Sequence, residues 1–205
     1  ASLVRRHSVP SRIHLYAAGR ASAVYRLHSR CDGLLGSARH DREGKHLKIS
    51  DFDVGLDRPL FLIAGPCVIE SETLAQETAG RLKALSDALA IPFIYKSCYD
   101  KDCRSSPDSF HGCGIESGLE ILAEVRDTFG VPVTSDFSDP AWGPATGEVC
   151  DLVQVPAYLC RQTSILRAAA ETGRPVHLKK GQFMSPWNMK NSVRKLEAAG
   201  CRDIL

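Results

Sequence analysis

The sequence is short of long apolar runs, of methionine and of acidic residues near its start. Its longest apolar stretches, such as Leu60-Phe61-Leu62-Ile63-Ala64, fall far below the roughly 20 residues a helix needs to cross a bilayer, which argues against a membrane protein. Residues 1–40 hold no compact apolar segment flanked by charge and a small-residue cleavage site, so no secretory signal is expected. None of the eight cysteines forms a C-x-x-C pair, and the spacing of Cys98, Cys103 and Cys113 fits no common zinc-ligand pattern. Without a secretory signal they read as thiols in a reducing compartment rather than as disulfides. The only methionines are Met184 and Met189. The net charge of +2 conceals a split: residues 1–46 hold nine Lys and Arg against three Asp and Glu, whereas residues 47–205 hold 17 against 21. A nucleic-acid-binding domain carries its basic excess on the folded part. Here the folded part is acidic, so no nucleic-acid partner is expected.

Residues 1–46 are rich in Arg, Ser and His and show no sustained helical or strand period. They read as a basic extension, disordered or transit-like, ahead of a domain spanning residues 47–205. The expected location is the cytoplasm, with organellar targeting by the extension as the alternative. From about Leu60 onward, short apolar runs alternate with amphipathic stretches of helical period. The pattern predicts strands at Leu60–Gly65, Phe93–Ser97, Val131–Asp136, Leu152–Val155 and Val176–Lys180. Helices are predicted at Glu72–Leu89, Gly114–Phe129, Asp139–Val149, Gln162–Thr172 and Pro186–Ala199. Gly130 before Val131-Pro132, and Gly173 before Arg174-Pro175, put a C-cap and a chain break just past two of these helices. Asp203-Ile204-Leu205 reads as the start of a sixth strand.

Five βα units suggest parallel strands with helices packed on them. A complete (β/α)8 barrel takes about 250 residues, more than this repeat supplies. An open dinucleotide-binding sheet puts a glycine-rich phosphate loop after its first strand. Gly65-Pro66-Cys67 stands there instead, so the α/β fold expected is a (β/α)8 TIM barrel of which the first five βα units and the start of the sixth strand are present.

In such a barrel the C-terminal strand ends and the following loops form the active-site face. Polar or reactive residues fall at all five ends. They are Cys67 and Glu70 after the first, Lys96 and the run Asp100 to Ser106 at the second, Asp136 on the third, Gln154 on the fourth, and Lys179-Lys180 on the fifth. Lys96, Lys101 and Arg104 with Ser105 and Ser106 suit a phosphate, because Arg offers a planar fork, Lys a point charge and the hydroxyls neutral donors. Lys179 and Lys180 make a second basic focus. Two foci imply a substrate with several negative charges or a pair of anionic substrates. Any one of these cations alone would read as a solvated surface charge, and Cys67 alone as a small buried hydrophobe. Their coincidence at strand ends is what points to a site, since a Lys inside an apolar strand is costly unless paired or aimed at a ligand.

Four segments carry a resemblance: Phe61 to Ser71 (FLIAGPCVIES), Lys96 to Ser106, Val153 to Thr163 (VQVPAYLCRQT) and Lys179 to Phe183 (KKGQF). Together they resemble the 3-deoxy-D-manno-octulosonate 8-phosphate synthases. The Gly-Pro-Cys segment is shared with the related 3-deoxy-arabino-heptulosonate 7-phosphate synthases, whereas the loop around Lys101 and the block ending at Thr163 point to the octulosonate enzymes. The resemblance implies a (β/α)8 barrel, usually tetrameric, that condenses phosphoenolpyruvate with arabinose 5-phosphate and releases phosphate. It implies that Lys101 and Lys180 hold phosphoenolpyruvate, with Lys96 and Gln154 nearby; Lys179 and Arg161 are further substrate-binding candidates. Arg104 and Ser105 would grip the sugar phosphate and Asp136 the sugar hydroxyls, with Ser106 a further substrate-binding candidate. A Cys at the position of Cys67 implies the metal-dependent branch, with a divalent cation whose other ligands, a His, a Glu and an Asp, are expected beyond Leu205.

Several positions depart from the family pattern: Cys103 in place of Asn, His111 of Arg, Asp108 of His, Cys113 of Pro, Ser138 of His and His177 of Asn. Two readings therefore stand beside the octulosonate synthase. One is a heptulosonate synthase using erythrose 4-phosphate, and the other is a non-catalytic barrel fragment with an exposed strand edge.

Overall fold

A computed structural model describes residues 16–18, 47–55 and 57–205. Most of the basic extension expected over residues 1–46 lies outside these. Its described part, β1 (Tyr16–Ala18), pairs antiparallel with β4 (Phe61–Ala64), a strand that residues 1–46 gave no sign of. Two three-residue strands, β2 (Leu47–Ile49) and β3 (Phe52–Val54), form an antiparallel hairpin around Ser50, whose positive φ of 52° makes the tight turn.

Beyond the hairpin the chain alternates as its periodicity predicts. After β4 come α1 (Glu72–Ala88), β5 (Phe93–Lys96), α2 (Ile115–Phe129), β6 (Val133–Asp136), α3 (Gly143–Val149), β7 (Leu152–Val155), α4 (Thr163–Glu171), β8 (Val176–Leu178) and α5 (Met189–Ala198). Local chemistry sets the ends. Ser71 Oγ accepts from Leu74 N at 3.2 Å to cap α1, and Gly130 takes the left-handed conformation (φ 59°) that closes α2. Asp139 and Ser185 cap 3-10 turns led by Pro140 and Pro186, so helix proper begins only at Gly143 and Met189. These two helices were expected to start several residues earlier. Proline supports a first turn but lacks the N–H that a longer helix would use.

Strands β4 to β8 are parallel and lie side by side in chain order, and each helix packs on the next. A doubly wound sheet would reverse its order at a switch point; this one does not. It is a partial (β/α) barrel. Ile204 adds a parallel bridge to Val176, and Leu205 N donates to Val176 O at 2.9 Å, so the sixth strand begins where expected.

The period-two alternation divides the strand residues between two environments. Tyr95, Val133, Val153, Val155, Val176 and Leu178 join the helices in the larger core. Phe61, Ile63, Ile94 and Leu152 face the other way and pack with Ile49 and Val54 of the hairpin, forming an apolar floor inside the curve of the sheet. Two residues further along the same strands, on the same face, stand Gly65, Lys96 and Gln154. Asp136 pairs in register with Gln154, and Gln154 with His177. The barrel interior is thus apolar below and polar at its C-terminal rim.

Candidate active site

Bonds to backbone carbonyls fix the rim before the charged side chains act. Ser97 Oγ donates to Pro66 O at 3.0 Å and Ile69 N donates to Cys98 O at 2.9 Å, clamping the loop after β4 onto the end of β5. Gly65 permits this approach, since a Cβ there would lie 2.0 Å from the Lys96 carbonyl oxygen. The loop after β5 closes on itself through Lys101 N to His111 O at 2.7 Å and Gly114 N to Tyr99 O at 3.1 Å.

On this frame Lys96, Cys98, Lys101, Asp136 and Gln154 converge. Asp136, 7% exposed, is the hub. Lys101 Nζ lies 3.2 Å from its Oδ2 and 3.4 Å from Oδ1, Gln154 Nε2 donates to Oδ2 at 3.3 Å, and Cys98 Sγ donates to Oδ1. Lys96, only 3% exposed, directs Nζ to Cys98 Sγ at 3.0 Å. Burial alone would raise the Asp136 pKa, but the Lys96 and Lys101 ammoniums outweigh it and hold the carboxyl below its ordinary range. Burial likewise works against both lysines, yet the neighbouring Cys98 and Asp136 hold both above the usual lysine range. For Cys98, burial and the neighbouring Asp136 charge favour the protonated thiol, which suits a donor to that carboxylate. Two ammoniums thus share one carboxylate, and the cluster keeps a net positive charge.

His177 lies beside Gln154. Burial, with the Lys179 and Lys96 ammoniums, lowers its pKa from 6.5 to about 4, so the ring is neutral at physiological pH. Gln154 Oε1 and Thr134 Oγ1 are buried without a hydrogen-bond partner. Both are polar atoms with capacity left for a ligand. A small opening above Lys101 and Asp136 is lined also by Cys103, Ser138, Pro156 and Tyr158. A wider cleft between α3 and α4, beside Pro144, Gly147 and Thr172, belongs to the helical layer and not to the rim.

The remaining residues expected from the sequence sit further out. Arg104 is exposed and donates through Nε to Phe110 O at 3.2 Å. Ser105 and Ser106 are exposed on the same loop, with Ser106 Oγ accepting from Asp108 N at 3.3 Å. Lys180 Nζ turns to the carbonyls of Gly181 at 2.9 Å and Met184 at 3.1 Å. Lys179 is half-buried and Arg161 exposed, the latter's carbonyl accepting from Lys195 Nζ at 2.7 Å. Lys96, Lys101, Asp136 and Gln154 are therefore brought together, while Arg104, Lys180 and Arg161 are not in contact with them. In the sequence Cys98 stands out only as one of eight thiols without zinc-ligand spacing, and Tyr158 only as part of the block Val153 to Thr163.

Cys67 is half-buried after β4, in the neighbourhood of Lys101. Among the described residues no group of three His, Cys, Asp or Glu is placed to share a metal ion. Cys67 offers one ligand, and the described residues by themselves supply too few to hold a metal ion.

The profile of the DAHP synthetase I family matches residues 40–205. The chain belongs to this family. Among curated relatives it is similar to proteins named 2-dehydro-3-deoxyphosphooctonate aldolase. The one from Methylibium petroleiphilum is 55% identical over 153 residues, covering 75% of this chain and 54% of the relative. Those from Nitrosococcus oceani and Hydrogenovibrio crunogenus are 52% and 54% identical over 159 residues, covering 78% of this chain and 57% of each relative. The chain thus spans a little over half the length of these family members. No helix among the described residues is long and apolar enough to cross a membrane.

Proposed function

We propose that the chain carries the phosphoenolpyruvate-binding part of an octulosonate 8-phosphate synthase site. The reaction condenses phosphoenolpyruvate with D-arabinose 5-phosphate to give 3-deoxy-D-manno-octulosonate 8-phosphate and inorganic phosphate. One observation carries this reading: Lys96 and Lys101 are both drawn into the rim against the single carboxylate of Asp136. A positive excess in a largely dehydrated site calls for an anion. The names of the relatives favour the octulosonate reaction over a heptulosonate synthase.

In this reading the enol carbon of phosphoenolpyruvate attacks the sugar aldehyde while water adds at the phosphate-bearing carbon. The resulting tetrahedral centre then expels phosphate. Lys96 and Lys101 hold the anion, and their fixed charge offsets charge developing on its oxygens. Gln154 Oε1, buried and open to a donor, lies beside them. Asp136 orients both lysines and faces the sugar. Arg104, Ser105 and Ser106, exposed on the loop above, would receive the sugar phosphate, and Lys180 joins by leaving the Gly181 and Met184 carbonyls. Positioning supplies much of the rate, and no covalent nucleophile is needed. Small phosphorylated metabolites are the substrates, and a tetramer and a cytoplasmic location complete the proposal.

An assay of phosphoenolpyruvate loss and phosphate release tests the reading. We expect turnover with arabinose 5-phosphate and none with erythrose 4-phosphate. The reverse preference would overturn it, and no turnover with either sugar would favour the non-catalytic fragment.

A further inference from the structure

We propose that Cys98 is a positioning residue, whose thiol links Lys96 to Asp136 and sets the direction of both. The inference rests on the anion-binding reading of the rim above. Cys98 is fully buried, and its carbonyl is held by Ile69 N at 2.9 Å, so the thiol leaves a backbone that the loop after β4 clamps in place. From there Sγ accepts from Lys96 Nζ at 3.0 Å and donates to Asp136 Oδ1. Lys101 binds Asp136 directly, forming the ion pair at 3.2 Å. Lys96 is coupled to the carboxylate through sulfur, and the thiol is the one hydrogen-bond partner described for its ammonium.

This arrangement has chemical consequences. A thiol has one proton to give and lone pairs to receive, so it satisfies a carboxylate and an ammonium at once without adding charge. Occupying one of the three ammonium protons of Lys96 leaves two for an anion. Directing S–H to Oδ1 helps leave Oδ2 to Lys101 and Gln154. An alanine would remove both contacts and leave Lys96 free to collapse onto Asp136, neutralising the charge that should meet the substrate. A serine hydroxyl keeps both roles with a shorter bond.

The test combines calorimetric binding of phosphoenolpyruvate with the infrared S–H stretch, isolated as wild type minus Cys98→Ser. In wild type the band should lie at the low frequency of a thiol bonded to a carboxylate, and it should move upward in Asp136→Asn. Cys98→Ala should weaken phosphoenolpyruvate binding about ten-fold, as loss of a hydrogen bond to a charged group does, while Cys98→Ser stays within about three-fold. A band at the free-thiol position, or Cys98→Ala binding as well as wild type, would overturn the inference. If Cys98→Ala does not fold, the band and the behaviour of Cys98→Ser still decide. Absence of phosphoenolpyruvate binding by wild type, with the band shifted as expected, would overturn the proposed function and support the thiol's hold on Asp136.

Discussion

At the scale of single residues, His177 makes the sharpest prediction. Its imidazole is held neutral, with a pKa lowered to about 4 by burial and by the Lys179 and Lys96 ammoniums. Between that value and 6.5 the unfolded chain takes up a proton that the folded chain refuses. The stabilisation is therefore complete above about pH 6.5 and is lost as the pH falls towards 4, by roughly 3 kcal/mol at most. Urea unfolding at pH 7 and pH 4.5 should show this loss, and His177→Asn should flatten it. An unchanged slope in the variant would mean that the proton binds elsewhere. Asp136 acts further down the scale. Its depressed carboxyl contributes stability that is present above the ordinary carboxylate range and lost as the pH falls through and below that range.

At the scale of elements, the critical joint is the one between β4 and β5. A Cβ on Gly65 would overlap the Lys96 carbonyl oxygen, which is backbone and cannot swing aside. Gly65→Ala should therefore lower stability by at least about 1–3 kcal/mol and also weaken phosphoenolpyruvate binding, because the strand that must shift is the one carrying Lys96. Thermal melts together with calorimetry check this; a variant that loses stability but binds normally would uncouple the two. Much at this scale was legible beforehand. The five βα units announce themselves through apolar runs such as Phe93-Ile94-Tyr95 and through the stops at Gly130 and Gly173. Strands of three residues leave no measurable period, which is why Leu47–Ile49 and Phe52–Val54 went unread although they supply part of the floor. Cys98 was invisible for a different reason. Its role exists only relative to Asp136, 38 positions away on another strand, and a buried cysteine in isolation is indistinguishable from a small hydrophobe. Arg104 and Lys180 were expected at the rim with the other cations, but a sequence does not reveal that their guanidinium and ammonium groups rest on loop carbonyls.

At the scale of the molecule, occupancy of the rim and stability of the fold should be linked. An anion that binds only the folded chain adds RT ln(1 + [L]/Kd), about 2.7 kcal/mol at a hundred times its dissociation constant. Phosphoenolpyruvate should accordingly raise the melting temperature of wild type in a concentration-dependent way, and Lys101→Ala should abolish most of that rise. An equal rise in the variant would place the anion elsewhere on the protein.

The pleat of the strands has a consequence of its own. Ile94 and Lys96, or Leu152 and Gln154, lie two residues apart on one face, so a single strand bears both a piece of the floor and a piece of the rim. A slip of one residue in pairing would turn both outward together. A misassembled copy would thus be destabilised and chemically silent at once, and the geometry that builds the pocket doubles as quality control against faulty versions of it.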